Sequence, residues 1–388
     1  MKKKVVVLGA TGSIGKSSLE IMSTLPDLFD IVGLVANKNA NPLIELSQKY
    51  HCKRLCLCGV SGSSAASGTN CTNIPDEVSY TGTDGIKRLL DDTKPDIVIN
   101  GIAGSAGLLP SVFVLERGID LALANKETVV MAYPLVRALA EKNNCRILPV
   151  DSEHSAVFSL INHFGRENVS RIVLTASGGP FRMFPKEKLL TVTFADALKH
   201  PTWNMGPKIT VDSSSLANKG LEVIEACRLF DATPEQVKVT IHPQSLVHSL
   251  IQTKDGALYA QISKPDMKHP ILTALSWPDF TPNSLELLNL YDFNSPLEMT
   301  FAAPDLDRFP MLSLAYKAAA SNGGYTIAYN ASNEVAVTAF AQGKIGFYGI
   351  SDLTESVLSH DWTAEPTDFD DVMKIDGNAR KLAQEKLA

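Results

Sequence analysis

The chain has 388 residues, 45% of them apolar and 20% charged, with a formal net charge of −6; this is enough for two or three domains, each with its own core. Basic residues form no run beyond the opening Lys2-Lys3-Lys4, which argues against a nucleic-acid-binding surface and requires any anionic ligand to be held locally. No apolar run approaches the roughly 18 residues that a membrane span needs, and Lys2 to Lys4 lead straight into "VVVLGA" without a separate apolar leader, so a cytoplasmic protein without a membrane partner is expected.

From Lys4 to about Val150, apolar segments alternate with helical ones: "VVVLGA", "KSSLEIMSTL", "IVGLVA", "DIVING", "IDLALAN", "VVMAYPLVRALAEK" and "RILPV". Such alternation predicts an α/β domain, a Rossmann-like doubly wound parallel sheet, over 1–150. The Ser/Gly-rich "CGVSGSSAASGTNCTN" reads as a surface loop within it. Six cysteines, at 52, 56, 58, 71, 145 and 227, are too sparse for a disulfide framework and read as reduced and mostly structural.

Beyond Asp151 the pattern changes to "RIVLTASG", "KITVDSSS", a helix "GLEVIEACRLF" and "SLVHSLIQTKDGALYAQIS". Asp255-Gly256, flanked by alternating residues, signals a hairpin, so 151–263 reads as an α+β domain with antiparallel pairing. Seven prolines from Pro265 to Pro310 predict an extended connection over 264–310. The remainder, 311–388, reads as a small helical domain, with Ser332 capping "NEVAVTAFAQG" and Ser351 preceding "DLTESVLSH".

Three constellations carry chemistry. "GATGSIG", Gly9 to Gly15, follows a predicted strand and opens a predicted helix, the context in which glycines let backbone amides approach a pyrophosphate. The second strand ends in Asn37-Lys38-Asn39 rather than in a carboxylate for a ribose 2′-hydroxyl; a cation beside amides suits a 2′-phosphate, hence NADPH.

The second is "PVDSEH". In an extended segment Asp151 and Glu153 would face one spot. A lone Asp-x-Glu is usually a solvated strand end, but "ANKGLEVIEA" supplies Glu222 and Glu225 on one helix face. Carboxylates converging on one place repel unless a cation lies between them, and an all-oxygen set selects Mg²⁺ or Mn²⁺ over zinc. His154 would point to the other face of a continuing strand and reads as structural or as support behind the ligands. Paired carboxylates also serve glycoside hydrolysis, but that chemistry has no use for a dinucleotide.

The third is the set "TASGGP", "HPTWNMG" and "DSSSLANKG", whose hydroxyls, amides and single lysine, Lys219, are the types that hold a phosphate without a basic surface. Ser177, Ser213 and Asn218 would give direction to that contact. Taken singly, each is as well explained by a turn or cap.

With "GATGSIG", "LANKE", "PVDSEH", "SGGPF", "HPTWNMG", "VDSSSLANKGLEVIEA" and "IHPQSLVHS" in this order, the chain resembles the 1-deoxy-D-xylulose 5-phosphate reductoisomerases over essentially its whole length. The resemblance implies a homodimeric enzyme of non-mevalonate isoprenoid synthesis, with 151–263 the catalytic and dimerisation domain. Its reaction is the NADPH-dependent rearrangement and reduction of a sugar phosphate, 1-deoxyxylulose 5-phosphate, to 2-C-methylerythritol 4-phosphate, assisted by Mg²⁺, Mn²⁺ or Co²⁺. It further implies Asp151, Glu153 and Glu222 as metal ligands, with Lys126, Ser152 and Glu153 facing the substrate oxygens. Ser177, Ser213, Asn218 and Lys219 would surround the phosphate, with His200, Trp203 and Glu222 at the substrate. Thr11, Gly12, Ser13, Ile14, Asn37, Lys38, Asn39, Asn125, Glu127 and Gly206 match cofactor positions. Of these, Lys126, Glu153 and His200 carry the catalytic expectation. Asn37 stands where the family often has glycine, and asparagine tolerates left-handed backbone better than most residues; Ala217 stands where a larger apolar residue is common.

A divalent ion held by three carboxylates polarises the neighbouring oxygens of a hydroxyketone, and both a retro-aldol/aldol sequence and a direct shift lead to an aldehyde for the nicotinamide to reduce. Two rivals are a semialdehyde dehydrogenase, which needs an activated cysteine, and a non-catalytic NADP sensor, for which clustered acids would be an unexplained cost. Phe181 to Gly206, with Trp203 among polar neighbours, reads as a cover that closes over the substrate.

Overall fold

The computed structural model describes residues 2–60, 74–199, 203, 205–291 and 297–387. Contacts divide the chain into two units, one of Met1–Asn125, Val136–Asp151 and Met267–Leu285, the other of Lys126–Leu135, Ser152–Asp266 and Glu286–Ala388. Among the described residues no helix is long and apolar enough to cross a membrane.

The first unit holds strands β1 (Lys3–Leu8), β2 (Phe29–Ala36), β3 (Leu55–Leu57), β4 (Tyr80–Thr81), β5 (Ile97–Asn100), β6 (Asp120–Leu123) and β7 (Ile147–Pro149). They form one parallel sheet in the order β4-β3-β2-β1-β5-β6-β7. Val5 to Leu8 are fully buried, as expected of a central parallel strand covered on both faces. Helices α1 (Ser13–Ser23), α2 (Ala40–Tyr50), α3 (Gly82–Thr93) and α4 (Leu108–Leu115) alternate with the strands as the apolar pattern predicts. Most of "CGVSGSSAASGTNCTN" lies outside the described residues. Helix α5 (Lys126–Lys142) passes from one unit to the other and leaves helical geometry at Ala132, two residues before Pro134.

The second unit holds β8 (Val169–Ala176), β9 (Val237–Ile241), β10 (Val247–Thr253) and β11 (Leu258–Ile262) in the order β11-β10-β8-β9. β10 runs antiparallel to both its neighbours, and the expected hairpin at Asp255-Gly256 joins it to β11. Around the sheet lie α6 (Ser152–Phe164), α7 (Lys186–Leu189), α8 (Phe194–Ala197), α9 (Pro207–Ser215) and α10 (Ala217–Leu229). The "KITVDSSS" segment is thus helical, started by Pro207 in the first turn of α9.

The connection over 264–310 is not extended throughout: α11 (Lys268–Ser276) lies at its start and packs in the first unit. Its Ile271, Leu272 and Leu275 are buried, and Pro270 falls in the first turn, where a missing N–H costs nothing. Helices α12 (Pro310–Ala320), α13 (Tyr325–Ala341), α14 (Gly349–Leu358) and α15 (Phe369–Leu387) follow. Met311, Ala328 and Ala383 share one hydrophobic core with Ile172 and Leu174 of β8 and Leu221 of α10. The C-terminal helices therefore complete the core of the four-stranded sheet. Neither serine expected at a helix start is a cap: Ser332 lies inside α13 and donates to Ala328 O at 2.7 Å, and Ser351 donates back to Tyr348 O at 2.8 Å.

Candidate active site

The glycine turn lies at the carboxyl end of β1, where the strand order reverses between β1 and β5 and doubly wound folds bind their ligands. Gly9 has φ +74°, and a Cβ there would stand 2.7 Å from Gly101 O. At Gly15 a Cβ would stand 2.5 Å from the Ala10 Cα, so α1 lies against β1 only because that position is bare. The resulting turn leaves Gly12 and Ser13 exposed, with Thr11 and Ile14 half-buried. Asn37, Lys38 and Asn39 are exposed immediately after β2. Asn37 is not among the residues with positive φ, so the substitution for glycine needs no left-handed tolerance. Asn125 is buried and donates to Ile102 O and Gly104 O, both at 2.8 Å, which fixes it on the loop after β5.

The carboxylates come together by a route other than the expected one. β7 ends at Pro149 and α6 begins at Ser152, so Glu153 sits in the first turn of a helix and the extended i, i+2 geometry does not exist. Glu222 comes from α10. Asp151, Glu153 and Glu222 nevertheless present ligand atoms within 4.8 Å of one another. An all-oxygen donor set of this kind fits a hard divalent ion. Glu225 turns to His154 instead: His154 Nδ1 lies 3.4 Å from its carboxylate, and Nε2 lies 3.0 Å from Glu222 O. With Asp151, His154 and Glu225 make a second close group. His154 is thus a buried support behind Glu222, oriented by that carbonyl.

Two lysines, Lys126 and Lys219, face these acids. Lys219 Nζ lies 2.6 Å from Glu153 Oε1 and also pairs with Glu222. Burial by itself would lower the Lys219 pKa, but attraction to Glu153 and Glu222 outweighs it and holds the pKa raised. Lys126 Nζ reaches Asn218 Oδ1 at 2.8 Å and Glu222 Oε1 at 3.2 Å, while Asn218 Nδ2 donates to the same Glu222 oxygen. Glu222 is 1% exposed and Lys219 4%; at that depth, losing one partner leaves an uncompensated charge at a cost of about 3–5 kcal/mol. Ser152 Oγ donates to Glu153 Oε2.

The serine-rich segments meet through another bare position. In "SGGP", Gly179 has φ +66°, and a Cβ there would stand 2.6 Å from Ser213 O. Gly179, whose N–H donates to Ser177 Oγ at 3.3 Å, thus lies against the backbone of Ser213 in α9. Lys219, expected with them at the phosphate, pairs with Glu153 and Glu222. His200 lies outside the described residues. Trp203 is half-buried and Gly206 exposed. The cover expected over 181–206 is anchored for most of its length, because Phe181, Leu189, Val192 and Ala197 are buried in the core. Leu198 and Lys199, which follow, are exposed.

The described cysteines are free, and burial raises the thiol pKa of Cys52 and Cys145 to about 11 and of Cys56 and Cys227 to about 12. Burial raises Cys58 as well. None is the activated nucleophile of a semialdehyde dehydrogenase; Cys71 lies outside the described residues. Sequence reasoning missed Lys208, whose ammonium lies 2.9 Å from Glu127 Oε1 and 3.0 Å from Asp212 Oδ2. The i, i+4 spacing of Lys208 and Asp212 was the one available signal.

Family models described as 1-deoxy-D-xylulose 5-phosphate reductoisomerase and its C-terminal domain match residues 5–133 and 147–230, and one described as the DXP reductoisomerase C-terminal domain matches 262–382. The chain is 47% identical over 386 residues to the reductoisomerase of Treponema denticola, covering 100% of this chain and 97% of that one. The enzyme of Phocaeicola vulgatus is 42% identical over 389 residues, with 100% of both chains covered. Among solved structures, the Zymomonas mobilis reductoisomerase in complex with NADPH superimposes with a TM-score of 0.87 at 36% identity, covering 100% of this chain and 99% of that one. A reductoisomerase in complex with NADPH, fosmidomycin and magnesium gives 0.86 at 34% identity, covering 99% and 98%. On full-length identity, matched domains and a shared fold, this chain belongs to the 1-deoxy-D-xylulose 5-phosphate reductoisomerase family.

Proposed function

We infer that the chain is an NADP-dependent oxidoreductase that converts 1-deoxyxylulose 5-phosphate to 2-C-methylerythritol 4-phosphate, with NADPH and a divalent cation, in isoprenoid precursor synthesis. The observation that carries the reading within this chain is the Asp151, Glu153 and Glu222 group, faced by Lys126, Asn218 and Lys219.

Asp151, Glu153 and Glu222 would hold the cation, Mg²⁺ or Mn²⁺, which when bound supplies Lewis-acid polarisation of adjacent carbonyl and hydroxyl oxygens. Lys126 donates from Nζ to the substrate oxygens, held in line by Asn218 Oδ1. Glu153 takes and returns a hydroxyl proton at Oε2, the atom that already accepts from Ser152 Oγ. Ser177, Ser213 and Asn218 orient the phosphate, and Lys219 supplies its charge. His200 and Trp203 contact the substrate, and the stretch from Leu198 to Gly206 excludes water from the aldehyde. Thr11 to Ile14, with Asn37 to Asn39, would hold NADPH, Lys38 reading the 2′-phosphate; Asn125, Glu127 and Gly206 complete the cofactor set.

The enzyme works as a homodimer in the cytoplasm. β11 lies at an edge of its sheet with Leu258, Tyr259 and Ile262 exposed, and Leu287 and Tyr291 are 74% and 90% exposed in the same unit, an apolar edge suited to a second copy. The free thiols fit a reducing compartment.

The test is NADPH oxidation with 1-deoxyxylulose 5-phosphate. Turnover should require Mg²⁺ or Mn²⁺, stop with EDTA and return on adding metal; no substrate-dependent oxidation in the metal-loaded protein would refute the assignment. Sedimentation of a Tyr259→Lys, Ile262→Lys variant should show monomer where the native chain is a dimer.

A further inference from the structure

Lys208 has no part in the chemistry above, yet it pairs with the residue that follows Lys126 and with an acid of α9. Its Nζ bridges Glu127 Oε1 at 2.9 Å and Asp212 Oδ2 at 3.0 Å, two carboxylates whose side chains are 7% and 1% exposed. Asp212 is held from its other oxygen as well, since Oδ1 accepts from Asn333 Nδ2 of α13 at 2.9 Å. Glu127 lies in the first turn of α5, one residue from Lys126. Asp212 lies in α9, which turns at Leu216, φ +60°, directly into the helix that carries Asn218 and Glu222. The bridge therefore joins the helix that carries Lys126 to the segment that carries the groups Lys126 contacts.

The charges run the same way. Burial alone would raise the Glu127 carboxyl, but Lys208 outweighs it and holds the pKa low. Burial alone would lower the Lys208 ammonium, but Asp212 and Glu127 outweigh it and hold the pKa raised. The Glu127 carboxylate is thus held ionised with this ammonium 2.9 Å away. The next cation acting on Glu127 is Lys126 itself. Without Lys208, the Glu127 carboxylate would draw Lys126 toward its own helix and away from Asn218.

We propose that Lys208 is a positioning residue: by clamping Glu127 of α5 to Asp212 of α9, it keeps Lys126 aimed at Asn218, Glu222 and the substrate. The proposal rests on the substrate role given to Lys126 above.

The test uses the full chain with saturating Mg²⁺ and NADPH and compares Lys208→Gln, Lys208→Met, Lys208→Arg, Lys126→Met and the double variant Lys126→Met, Lys208→Gln. The neutral Lys208 variants should keep a Tm near that of the native protein while kcat falls by roughly tenfold or more, and Lys208→Arg should restore most of it. In the Lys126→Met background, Lys208→Gln should lower kcat no further, because the residue acts through a side chain already removed. Additive losses, native kcat in a folded neutral variant, or failure of both neutral variants to fold would each overturn the clamp. A fully active Lys126→Met would instead remove the reading of Lys126 on which the clamp rests, so the two failures are told apart.

Discussion

The glycine turn of the first unit and the Glu153 and Glu222 carboxylates of the second are built on opposite principles. In "GATGSIG" the working parts are backbone atoms, and the side chains matter by their absence: Gly9 and Gly15 leave no room for a Cβ. At Glu153 and Glu222 the working parts are side-chain charges, balanced by Lys126 and Lys219 at depths where solvent screens little. The first region should therefore be sensitive to volume and indifferent to charge, and the second the reverse.

The largest expected effect breaks the charge side. Asp151→Asn or Glu222→Gln should weaken Mg²⁺ or Mn²⁺ binding and lower kcat together by orders of magnitude, while NADPH affinity by fluorescence titration stays within about twofold of native, since neither carboxylate is among the residues expected to hold the dinucleotide. Near-native turnover at low Mg²⁺ in either variant would defeat the metal assignment. On the volume side, Gly15→Val adds a branched side chain where even a Cβ meets the Ala10 Cα at 2.5 Å. It should cost about 1–3 kcal/mol, seen as a lower Tm and a roughly tenfold or greater loss of NADPH affinity, with Mn²⁺ binding, measured by electron paramagnetic resonance, unchanged. Equal damage to metal binding would show that the two regions do not act separately.

A smaller effect sharpens the contrast, because one charge does matter beside the turn. Lys38→Asp replaces attraction to a 2′-phosphate by repulsion at an exposed position, and should raise the NADPH Kd by about tenfold with little change for NADH. Equal weakening of both cofactors would show that Lys38 does not read the phosphate. The smallest effect concerns the cover. Trp203→Ala should raise the KM of the sugar phosphate by roughly severalfold and lower kcat modestly, with Tm nearly unchanged; a residue anchored in the core would instead cost several kcal/mol of stability. Substrate analogue with metal should suppress proteolysis between Leu198 and Gly206, and no cleavage is expected at Phe181, which is buried.

What could be read beforehand follows from the same contrast. The turn was legible because its signal is local: a buried strand, three spaced glycines and a helix start lie within fifteen residues, and each states its own backbone requirement. The acids were legible as residue types but not as geometry. Asp151 and Glu153 were expected on one strand, whereas the chain turns into α6 at Ser152 and the convergence is helical. The choice between Glu222 and Glu225 came from the family pattern; in the structure His154 lies beside the Glu225 carboxylate, while Glu222 pairs with Lys126 and Lys219.

The sequence by itself determined the alternating parallel sheet, the hairpin at Asp255-Gly256, the glycine turn and the residue types that a hard cation and a phosphate require, because periodicity, turn chemistry and charge act over a few residues. Tertiary structure alone decided that α11 joins the first unit, that the C-terminal helices complete the core of the second, and that Lys219 pairs with Glu153, 66 residues away. It alone also brought Lys208 between Glu127, 81 residues away, and Asp212. Burial and ion pairing between distant segments depend on which surfaces meet when the chain is packed, and no local pattern carries that information.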